Sequence, residues 1–338
     1  MTPKLDFLYC GSAKDSFFAQ VAFARICLDA LGGPYRGARV AVAFAEYDRP
    51  ELPERWVPYY DRIEVLWCNP DKLPNDGYLL QHYARFDMID ETADLVILSD
   101  ADVIPVRPFD DLIADLIENP AIAGVLAHYH FPLDGVRGDP DVDWPRIAHH
   151  VLGHDIDRPW RYLFGQNPLE PPVSDPDMRP AAPFYLNYGV LIAPPAMMKT
   201  LGAREYALGR ITEEITGPYW SSQVALSLAC VEQGFACRAL PPRYNWATRP
   251  ETIALYPDEV PKIALIHYMN KQNFRGSAIF AKGTTFQDFI EARYEGSDEI
   301  FRAYVEQVTG GTYPFPRPAA MKRRLAEEQR AKEKQRDP

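Results

Sequence analysis

One ten-residue run, Leu95–Ile104, constrains this chain more than any other part of its sequence. Four apolar residues of strand type lead into Asp100 and Asp102, and further apolar residues follow. Unpaired carboxylates at the end of a buried strand are energetically costly, so two in close succession need a partner. Residues two apart in an extended strand point to the same side, so both can converge on one divalent cation shared with a phosphate-bearing substrate. The alternative is that one acid caps the next element and the other is solvated, because so short a motif recurs by chance.

Composition restricts both the partners and the compartment. A net charge of −11 in 338 residues argues against binding to nucleic acid or to an anionic membrane, since both would repel the chain. The five cysteines contain no Cys-x-x-Cys pair and are typical of core thiols in a reducing compartment. No apolar leader or membrane-spanning stretch is visible, so we expect a cytoplasmic protein with at most peripheral membrane contact.

Short apolar runs alternate with helical periodicity, which is typical of an α/β layered fold. Strands are predicted at Leu5–Cys10, Arg39–Phe44, Ile63–Trp67, Leu95–Leu98, Ile122–Ala127, Phe184–Ile192, Arg238–Leu240 and Ile263–His267. Helices are predicted at Ser16–Leu31, Tyr78–Ile89, Leu112–Ile117 and Ser221–Gln233, the third of them capped by Asp110 and Asp111. The expected fold is a mixed central sheet flanked by helices.

The chain is predicted to form one domain over residues 1–318. Residues 131–183 are rich in Pro, Asp, His and Trp and are too long for an ordinary connection, so we expect them to form a substrate-facing lobe. Residues 319–338 are dense in Lys, Arg and Glu and are expected to form a solvated tail.

Four further polar features accompany the acid pair in order along the chain: Arg85 before it, then Asn187, Gln223 and His267 after it. No dinucleotide-binding, P-loop or nucleophile-elbow motif is present. Together with the phrase Phe109-Asp110-Asp111-Leu112, this order resembles the GT-A-fold nucleotide-sugar glycosyltransferases. The resemblance is strongest to the retaining glycogenin and lipopolysaccharide galactosyltransferase-like group, and it spans residues 4 to 275 by the order and spacing of motifs.

This resemblance implies a metal site. The Asp100-Ala101-Asp102 segment would hold the donor through Mn²⁺ or Mg²⁺ on the nucleotide diphosphate, with His267 as the third protein ligand. Imidazole and carboxylate ligands together suit Mn²⁺, and such an ion offsets the charge that grows on a departing diphosphate. The alternative for His267 is a histidine of the core whose hydrogen bonds are satisfied there.

The resemblance also implies a donor site for a nucleotide-sugar that is UDP-linked, as is usual in this group. Arg85 matches the group's donor-binding arginine, although a surface cation on a helix is the alternative. Gly11 and Ser12 follow the first strand, where their backbone would contact uracil and ribose. The group's usual Asp-x-x-Tyr wording is missing at that turn.

Two amides are implied to hold the sugar. Asn187 occupies the group's Asn-x-Gly position, and Gln223 matches the glutamine beside the anomeric carbon, where its oxygen would steady developing positive charge. For the Asn-x-Gly motif, the alternative is that Gly189 only lets a neighbouring chain segment approach closely. For Gln223, the alternative is a solvated residue in the first turn of a helix. Ser222 stands where the group has aspartate, which leaves the donor sugar and the retaining outcome open.

The segment after His267 lacks the group's glycine and its Lys-Pro-Trp motif, whose lysine would contact the diphosphate. Lys271 or Arg275 would supply this cation instead. His128 and His130 follow a strand near the expected sugar contacts. His149, His150 and His154 lack the cysteine partners of a zinc site, so no second metal site is predicted. Trp144, Trp160 and Trp220 are read as sugar-stacking faces or, more often for such residues, as core anchors.

The predicted function is therefore metal-dependent transfer of a sugar from a nucleotide diphosphate to a hydroxyl acceptor, with retention. The acceptor can be a glycan, a lipid-linked molecule or a small molecule. Two alternatives remain: a nucleotidyltransferase, although the N-terminus lacks a Gly-rich basic loop, and a non-catalytic binding protein on the same fold. A glycoside hydrolase would also use paired acids, but His267 favours transfer.

Overall fold

The computed structural model describes residues 2–45, 51–68, 83–132, 138–268, 273–274 and 276–316. The predicted tail over 319–338 and the start of the predicted helix Tyr78–Ile89 lie outside these ranges. Within them, the chain has no helix that is both long and apolar enough to cross a membrane.

The described strands, in chain order, are β1 Leu5–Ser12, β2 Arg39–Ala45, β3 Glu64–Cys68, β4 Leu95–Asp100, β5 Val103–Pro105, β6 Ile122–Leu126, β7 Trp160–Arg161, β8 Ala181–Ala182, β9 Leu186–Ala193, β10 Cys237–Ala239, β11 Trp246–Ala247 and β12 Leu265–His267. The described helices are α1 Asp15–Leu31, α2 Gly33–Gly37, α3 Asp110–Glu118, α4 Pro140–Leu152, α5 Pro195–Thr216, α6 Pro218–Glu232, α7 Pro250–Leu255, α8 Gly283–Glu291 and α9 Gly296–Thr309. All eight predicted strands and three of the four predicted helices are thus confirmed, with ends shifted by a few residues.

Seven strands form the central sheet in the order β10-β6-β9-β4-β1-β2-β3. Strands β3, β2, β1 and β4 run parallel, whereas β9 is antiparallel to both β4 and β6. The prediction of a mixed central sheet flanked by helices is confirmed. Two small sheets accompany it, β11-β12-β5 and β7-β8.

The central sheet is covered on both faces, which explains why its strands read as continuous apolar runs. Along β1, Phe7 and Tyr9 contribute to the core cluster that contains α1, while Leu8 and Cys10 contribute to the cluster that contains α5 and α6. This alternation is the two-residue period of a strand. The parallel strands β1 to β4 have their C-terminal ends at the same edge of the sheet, and the acid pair lies at this edge.

Several local predictions were wrong. The last predicted strand, Ile263–His267, begins two residues later than predicted, and it pairs with β11 and β5 in a small separate sheet. Asp110 and Asp111 lie in the first turn of α3, while Phe109 takes the N-cap position with no side-chain cap bond. Of the predicted helix Tyr78–Ile89, residues 78–82 lie outside the described residues, residues 83–84 are helical, and residues 85–88 form a 3₁₀ turn.

The lobe over 131–183 contains more structure than its weak periodicity predicts, including α4 and the β7–β8 pair. A buried hydrogen-bond network anchors it. Trp144 Nε1 donates to the Tyr162 hydroxyl at 2.8 Å, and His130 contacts Tyr162 Oη at 2.7 Å and Asp143 Oδ2 at 2.9 Å. The hydroxyl therefore donates to His130 Nδ1, and Nε2–H donates to Asp143. Both ring nitrogens of His130 are engaged, so it is a structural residue and not a sugar contact.

Helix α5, with 22 residues, was not predicted, and it supports the segment that carries Arg85. A Cβ added at Gly202 would overlap the Phe86 ring, and one at Gly209 would overlap the Tyr83 hydroxyl. The two glycines are therefore contact sites for aromatic side chains. They also interrupt the apolar pattern that would have identified the helix.

We expect Gly202→Ala to destabilise the protein by about 1–3 kcal/mol, because the new methyl group overpacks against Phe86. This outcome opposes helix propensity, by which alanine is better than glycine by about 1 kcal/mol. Denaturant unfolding measures the change. Ala203→Gly, at the exposed neighbouring position, is the control for propensity at this place in the helix. A Gly202→Ala variant more stable than wild type would contradict the proposed packing.

Candidate functional site

The acid pair lies where the chain leaves the central sheet. Asp100 is the last residue of β4, and Ala101 and Asp102 form the turn into β5. The two acids therefore do not share one side of a single strand, as the two-residue period predicted. A change of direction at Ala101, which is buried, brings the side chains of both acids to the same place.

His267 reaches the acid pair through strand pairing. Strand β12 runs antiparallel to β5, with His267 opposite Val103, and the Tyr268 N–H donates to the Asp102 carbonyl oxygen at 3.1 Å. The His267 Nε2 atom lies 3.2 Å from Asp102 Oδ1 and 3.9 Å from Asp100 Oδ2. One ligand atom from each residue lies within 4.8 Å of the others, close enough for the three to share a metal ion.

Two residues hold the His267 ring in this orientation. Nδ1 lies 3.0 Å from Asn245 Oδ1, and since this oxygen can only accept, Nδ1 carries a proton and the ring is held with Nε2 directed at the acids. Gly189 leaves room for the ring, because a Cβ there would lie 2.6 Å from His267 Nδ1. A metal-binding histidine is commonly oriented by such a hydrogen bond from its second nitrogen.

Negative charge is concentrated at this point. Burial raises the pKa of Asp100, and the Asp102 carboxylate adds to the effect, while His267 and Arg85 oppose it. Burial by itself would lower the pKa of His267, but the charges of Asp102 and Asp100 outweigh it and raise that pKa. The carboxylates remain accessible, with side chains 31% and 35% exposed. A cation arriving from solvent can therefore reach them and relieve their repulsion.

Gly11 and Ser12 lie at the same sheet edge as the acid pair. The parallel register of β1 and β4 places Cys10 opposite Asp100, so the next two residues of β1 extend past the end of β4. The Phe17 side chain packs against Gly11, where a Cβ would lie 2.5 Å from Phe17 Cδ1. The position predicted for a nucleotide contact is therefore beside the acids.

Arg85 is a buried residue, not the surface cation of the alternative interpretation. Its Nη1 lies 3.7 Å from Cys10 Sγ, and its guanidinium carbon lies 4.8 Å from the Tyr188 ring centroid. Its Nε and Nη2 atoms are buried without a hydrogen-bond partner among the described residues. Its charge acts on Asp100, which places it beneath the acid pair.

The two amides predicted to hold sugar lie on different elements, Asn187 on β9 and Gln223 on α6. Asn187 Oδ1 accepts a hydrogen bond from the Gly189 N–H at 3.0 Å. The Asn187 carbonyl oxygen accepts one from Asn245 Nδ2 at 3.5 Å, so Asn187 contacts the residue that orients the His267 ring. Gln223 is half-buried on α6, whereas Ser222 is buried. Gln223 lies one helical turn after Tyr219, on the same face.

Tyr219 is an exposed aromatic residue close to the acids. Partial burial raises its pKa, and the charges of Asp100 and Asp102 raise it further, so its hydroxyl lies within electrostatic reach of both. Its ring packs edge-on against Trp220 at 4.7 Å between centroids. The start of α6 therefore borders the site.

Lys271 and Arg275, predicted to supply the diphosphate cation, lie outside the described residues. A described cation, Arg249, follows β11 near the site. Burial lowers the pKa of His128 to about 3, and the charges of Arg249 and His267 add to this effect. Arg249 therefore lies near both imidazoles, and it was not identified from the sequence.

The remaining histidines do not extend the site. His149 Nε2 lies 3.1 Å from Asp155 and His150 Nε2 lies 3.9 Å from Glu214, both at the surface. In the described ranges they belong to no group of three side chains close enough to share an ion. Trp144 is fully buried, as the core-anchor interpretation predicted.

Besides Arg249 and Tyr219, three candidates that support the site were missed in the sequence, namely Asn245, Tyr188 and Glu205. A signal existed for Asn245, since it is a lone amide before a short apolar run. Glu205 lies between Leu201 and Leu208 at helical spacing, so an acid on an apolar stripe would have marked it once the helix was recognised.

Comparison with solved structures finds similarity to glycosyltransferases. The galactosyltransferase LgtC, in complex with donor and acceptor sugar analogs, is 14% identical, and the match covers 79% of this chain and 87% of LgtC at a TM-score of 0.44. Mouse xyloside xylosyltransferase 1 is 11% identical over 80% of this chain and 100% of its own, at 0.45. The bifunctional glycosyltransferase WbbM is 10% identical over 80% of this chain, at 0.47, and the chain spans 46% of its length. No protein-family model and no curated protein sequence matches. The case for an activity therefore rests on the residues of the site.

We expect Glu205→Gln to stabilise the protein at neutral pH. Burial raises the pKa of Glu205 to about 8, although the Tyr188 hydrogen bond and the Arg85 charge oppose this. Between its unfolded and folded pKa values the folded protein holds a proton that the unfolded chain releases, so stability falls as pH rises. A glutamine at this position does not titrate, so its stability does not fall in this way. The free energy of unfolding of the variant should exceed that of the wild type by about 2–4 kcal/mol at pH 7.5 and by about 1 kcal/mol at pH 5.5.

Denaturant unfolding at both pH values measures this difference. Glu214→Gln, at a 73% exposed side chain on the same helix, is the control and should show little change at either pH. An advantage of Glu205→Gln that stays constant between the two pH values would show that Glu205 is ionised in the folded protein.

Proposed function

We propose that this chain is a glycosyltransferase that moves a sugar from a nucleotide diphosphate donor to a hydroxyl acceptor with the help of a divalent cation. The observation that carries the proposal is the convergence of Asp100, Asp102 and His267 at the open edge of the sheet. Two accessible carboxylates and an oriented imidazole suit a cation that also binds a diphosphate.

The donor set fits Mn²⁺ better than Mg²⁺, which prefers oxygen ligands and retains several waters. Asp100 and Asp102 would supply the oxygens and His267 Nε2 the nitrogen, with Asn245 maintaining the tautomer. When bound, the ion would neutralise charge on the diphosphate leaving group. The exposed sides of the carboxylates leave room for the phosphates to approach.

The donor nucleotide would lie along the edge formed by Gly11, Ser12 and Ala101, and the proposed donor is a UDP-sugar, with uracil as its base. Arg85 would add positive charge from below the acids, and Arg249 from the side of His267. Lys271 and Arg275 remain proposed phosphate contacts. These cations would neutralise the negative charge of the donor locally, although the net charge of the whole chain is −11.

The sugar would lie between Asn187 and Gln223. The Gln223 side-chain oxygen would face the anomeric carbon and stabilise the positive charge that develops as the diphosphate leaves. Retention is proposed, with the acceptor hydroxyl approaching on the face from which the leaving group departs. Tyr219 borders this space and would contact the acceptor, whether a glycan, a lipid-linked molecule or a small molecule.

A thermal-shift panel of nucleoside diphosphates and nucleotide-sugars, with Mn²⁺ and with EDTA, tests the donor and metal together. We expect UDP to raise the melting temperature in the presence of Mn²⁺, because a ligand at a hundredfold excess over its Kd stabilises by about 2.7 kcal/mol. Asp102→Asn should abolish the rise. The control Asp111→Asn, an exposed acid in the first turn of α3, should retain it.

The same samples separate the alternatives. Mn²⁺-dependent release of UDP from a UDP-sugar supports the transferase, whereas binding without release supports a binding protein. Release of pyrophosphate from a nucleoside triphosphate supports a nucleotidyltransferase. If no nucleotide shifts the wild-type melting temperature, the proposed function is wrong.

Asn245→Ala should weaken Mn²⁺ binding by about 10–100-fold, the usual effect of losing the residue that orients a metal-binding histidine. Asn245→Asp retains an acceptor for Nδ1–H and should lose much less. Titration of Mn²⁺ followed by electron paramagnetic resonance measures both affinities. Equal affinities for Asn245→Ala and wild type would exclude this role for Asn245.

A further inference from the structure

A buried column of polar side chains lies behind the acid pair, on the side away from solvent. It consists of Arg85, Tyr188 and Glu205, which are 0%, 8% and 0% exposed. They come from three elements: the 3₁₀ turn at residues 85–88, strand β9 and helix α5. No motif in the sequence predicted that they meet.

The contacts within the column run in one direction. The Tyr188 hydroxyl donates to the Glu205 carboxyl group, with both carboxyl oxygens 2.6 Å away. The face of the Tyr188 ring lies 4.8 Å from the guanidinium carbon of Arg85. Glu205 therefore fixes the tyrosine, and the tyrosine ring holds the arginine through a cation–π contact.

Stability alone does not explain this arrangement. Burying a charged arginine costs several kcal/mol, and apolar residues of similar volume in place of buried ionic groups are often at least as stable. The cost is not minimised here, because the Arg85 Nε and Nη2 atoms lack partners among the described residues. Such a costly group indicates a functional requirement for positive charge at this place.

The geometry shows where Arg85 acts. Its Nη1 lies 3.7 Å from the Sγ of Cys10, which is the residue opposite Asp100 in the pairing of β1 with β4. On its other side the guanidinium charge acts on Glu205, where it lowers the pKa. Burial outweighs this effect at Glu205, so the carboxyl group keeps its proton at neutral pH and does not cancel the arginine's charge. The positive charge of Arg85 thus remains available to Asp100 and to the space above it.

We infer that Tyr188 and Glu205 are positioning residues that hold the Arg85 guanidinium under the acid pair, so that its charge acts on an anionic donor. This inference rests on the proposed function, and it concerns residues that do not touch the donor. The glycines of α5 complete the support, because Gly202 and Gly209 accept the Phe86 and Tyr83 side chains that flank Arg85. The 3₁₀ turn is thereby fixed on the helix that carries Glu205.

Tyr188→Phe tests the inference, because it keeps the ring and removes the hydroxyl, with its hydrogen bonds to Glu205 and to Arg85. With Mn²⁺ present, we expect the Kd for UDP, measured by calorimetry, and the KM for the UDP-sugar to rise about tenfold, the effect of one hydrogen bond. The value of kcat should change less. Tyr185→Phe is the matched control, since it removes a buried hydroxyl that has no partner among the described residues.

Glu205 is tested with two variants. Glu205→Leu removes the acceptor and should reproduce the effect of Tyr188→Phe. Glu205→Gln retains an oxygen that accepts from Tyr188 and should restore most of the lost affinity. Thermal unfolding confirms that each variant is folded, and if one is not, the other position carries the same comparison.

The decisive measurement is a double-mutant cycle with Arg85→Ala. If Tyr188 acts through Arg85, Tyr188→Phe should have no further effect on UDP affinity in the Arg85→Ala background. An unchanged effect in that background, or wild-type affinity in Tyr188→Phe, would overturn the inference while the proposed function stands. A wild-type protein that binds no nucleotide with Mn²⁺ would overturn both.

Discussion

The site depends on the antiparallel pairing of β5 with β12. This short ladder places His267 opposite Val103, immediately after the acid pair, and the Tyr268 N–H closes it on the Asp102 carbonyl oxygen. Without it, Asp100 and Asp102 would be two acids at the end of a strand. With it, residues more than 160 positions apart become one group of ligand atoms. The small sheet β11-β12-β5 is therefore the element that turns the edge of the central sheet into a candidate metal site.

The electrostatics of the site follow from where charge is buried and where it is exposed. Asp100 and Asp102 face outward and can be neutralised from solvent, whereas Arg85 is enclosed beneath them and cannot leave. A buried cation under exposed acids lowers their repulsion without occupying the space a metal and a diphosphate would need. The column of Tyr188 and Glu205 gives that cation a fixed position in a low-dielectric interior, where its field is strongest.

The sequence predicted those parts of the fold that are determined by residues close together in the chain. Buried strands such as β1 and β4 read as apolar runs, and α1 shows helical periodicity. Helix α5 was missed because Gly202, Glu205 and Gly209 interrupt its apolar stripe. Each of the three contacts an aromatic side chain of another element. The turn at Ala101 and the support from Asn245 could not be predicted, because both depend on tertiary pairing of β5, β11 and β12. The resemblance to a glycosyltransferase group identified the triad from motif order, which carries such tertiary information indirectly.

The central claim is that Asp100, Asp102 and His267 bind a divalent cation together with a nucleotide diphosphate. A crystal grown with Mn²⁺ and UDP, with data collected at the manganese absorption edge, tests it most directly. We predict one strong anomalous peak in contact with both carboxylates and with His267 Nε2, and diphosphate oxygens on its open side. UDP bound with no anomalous peak at these residues, or a manganese peak bound elsewhere, would contradict it.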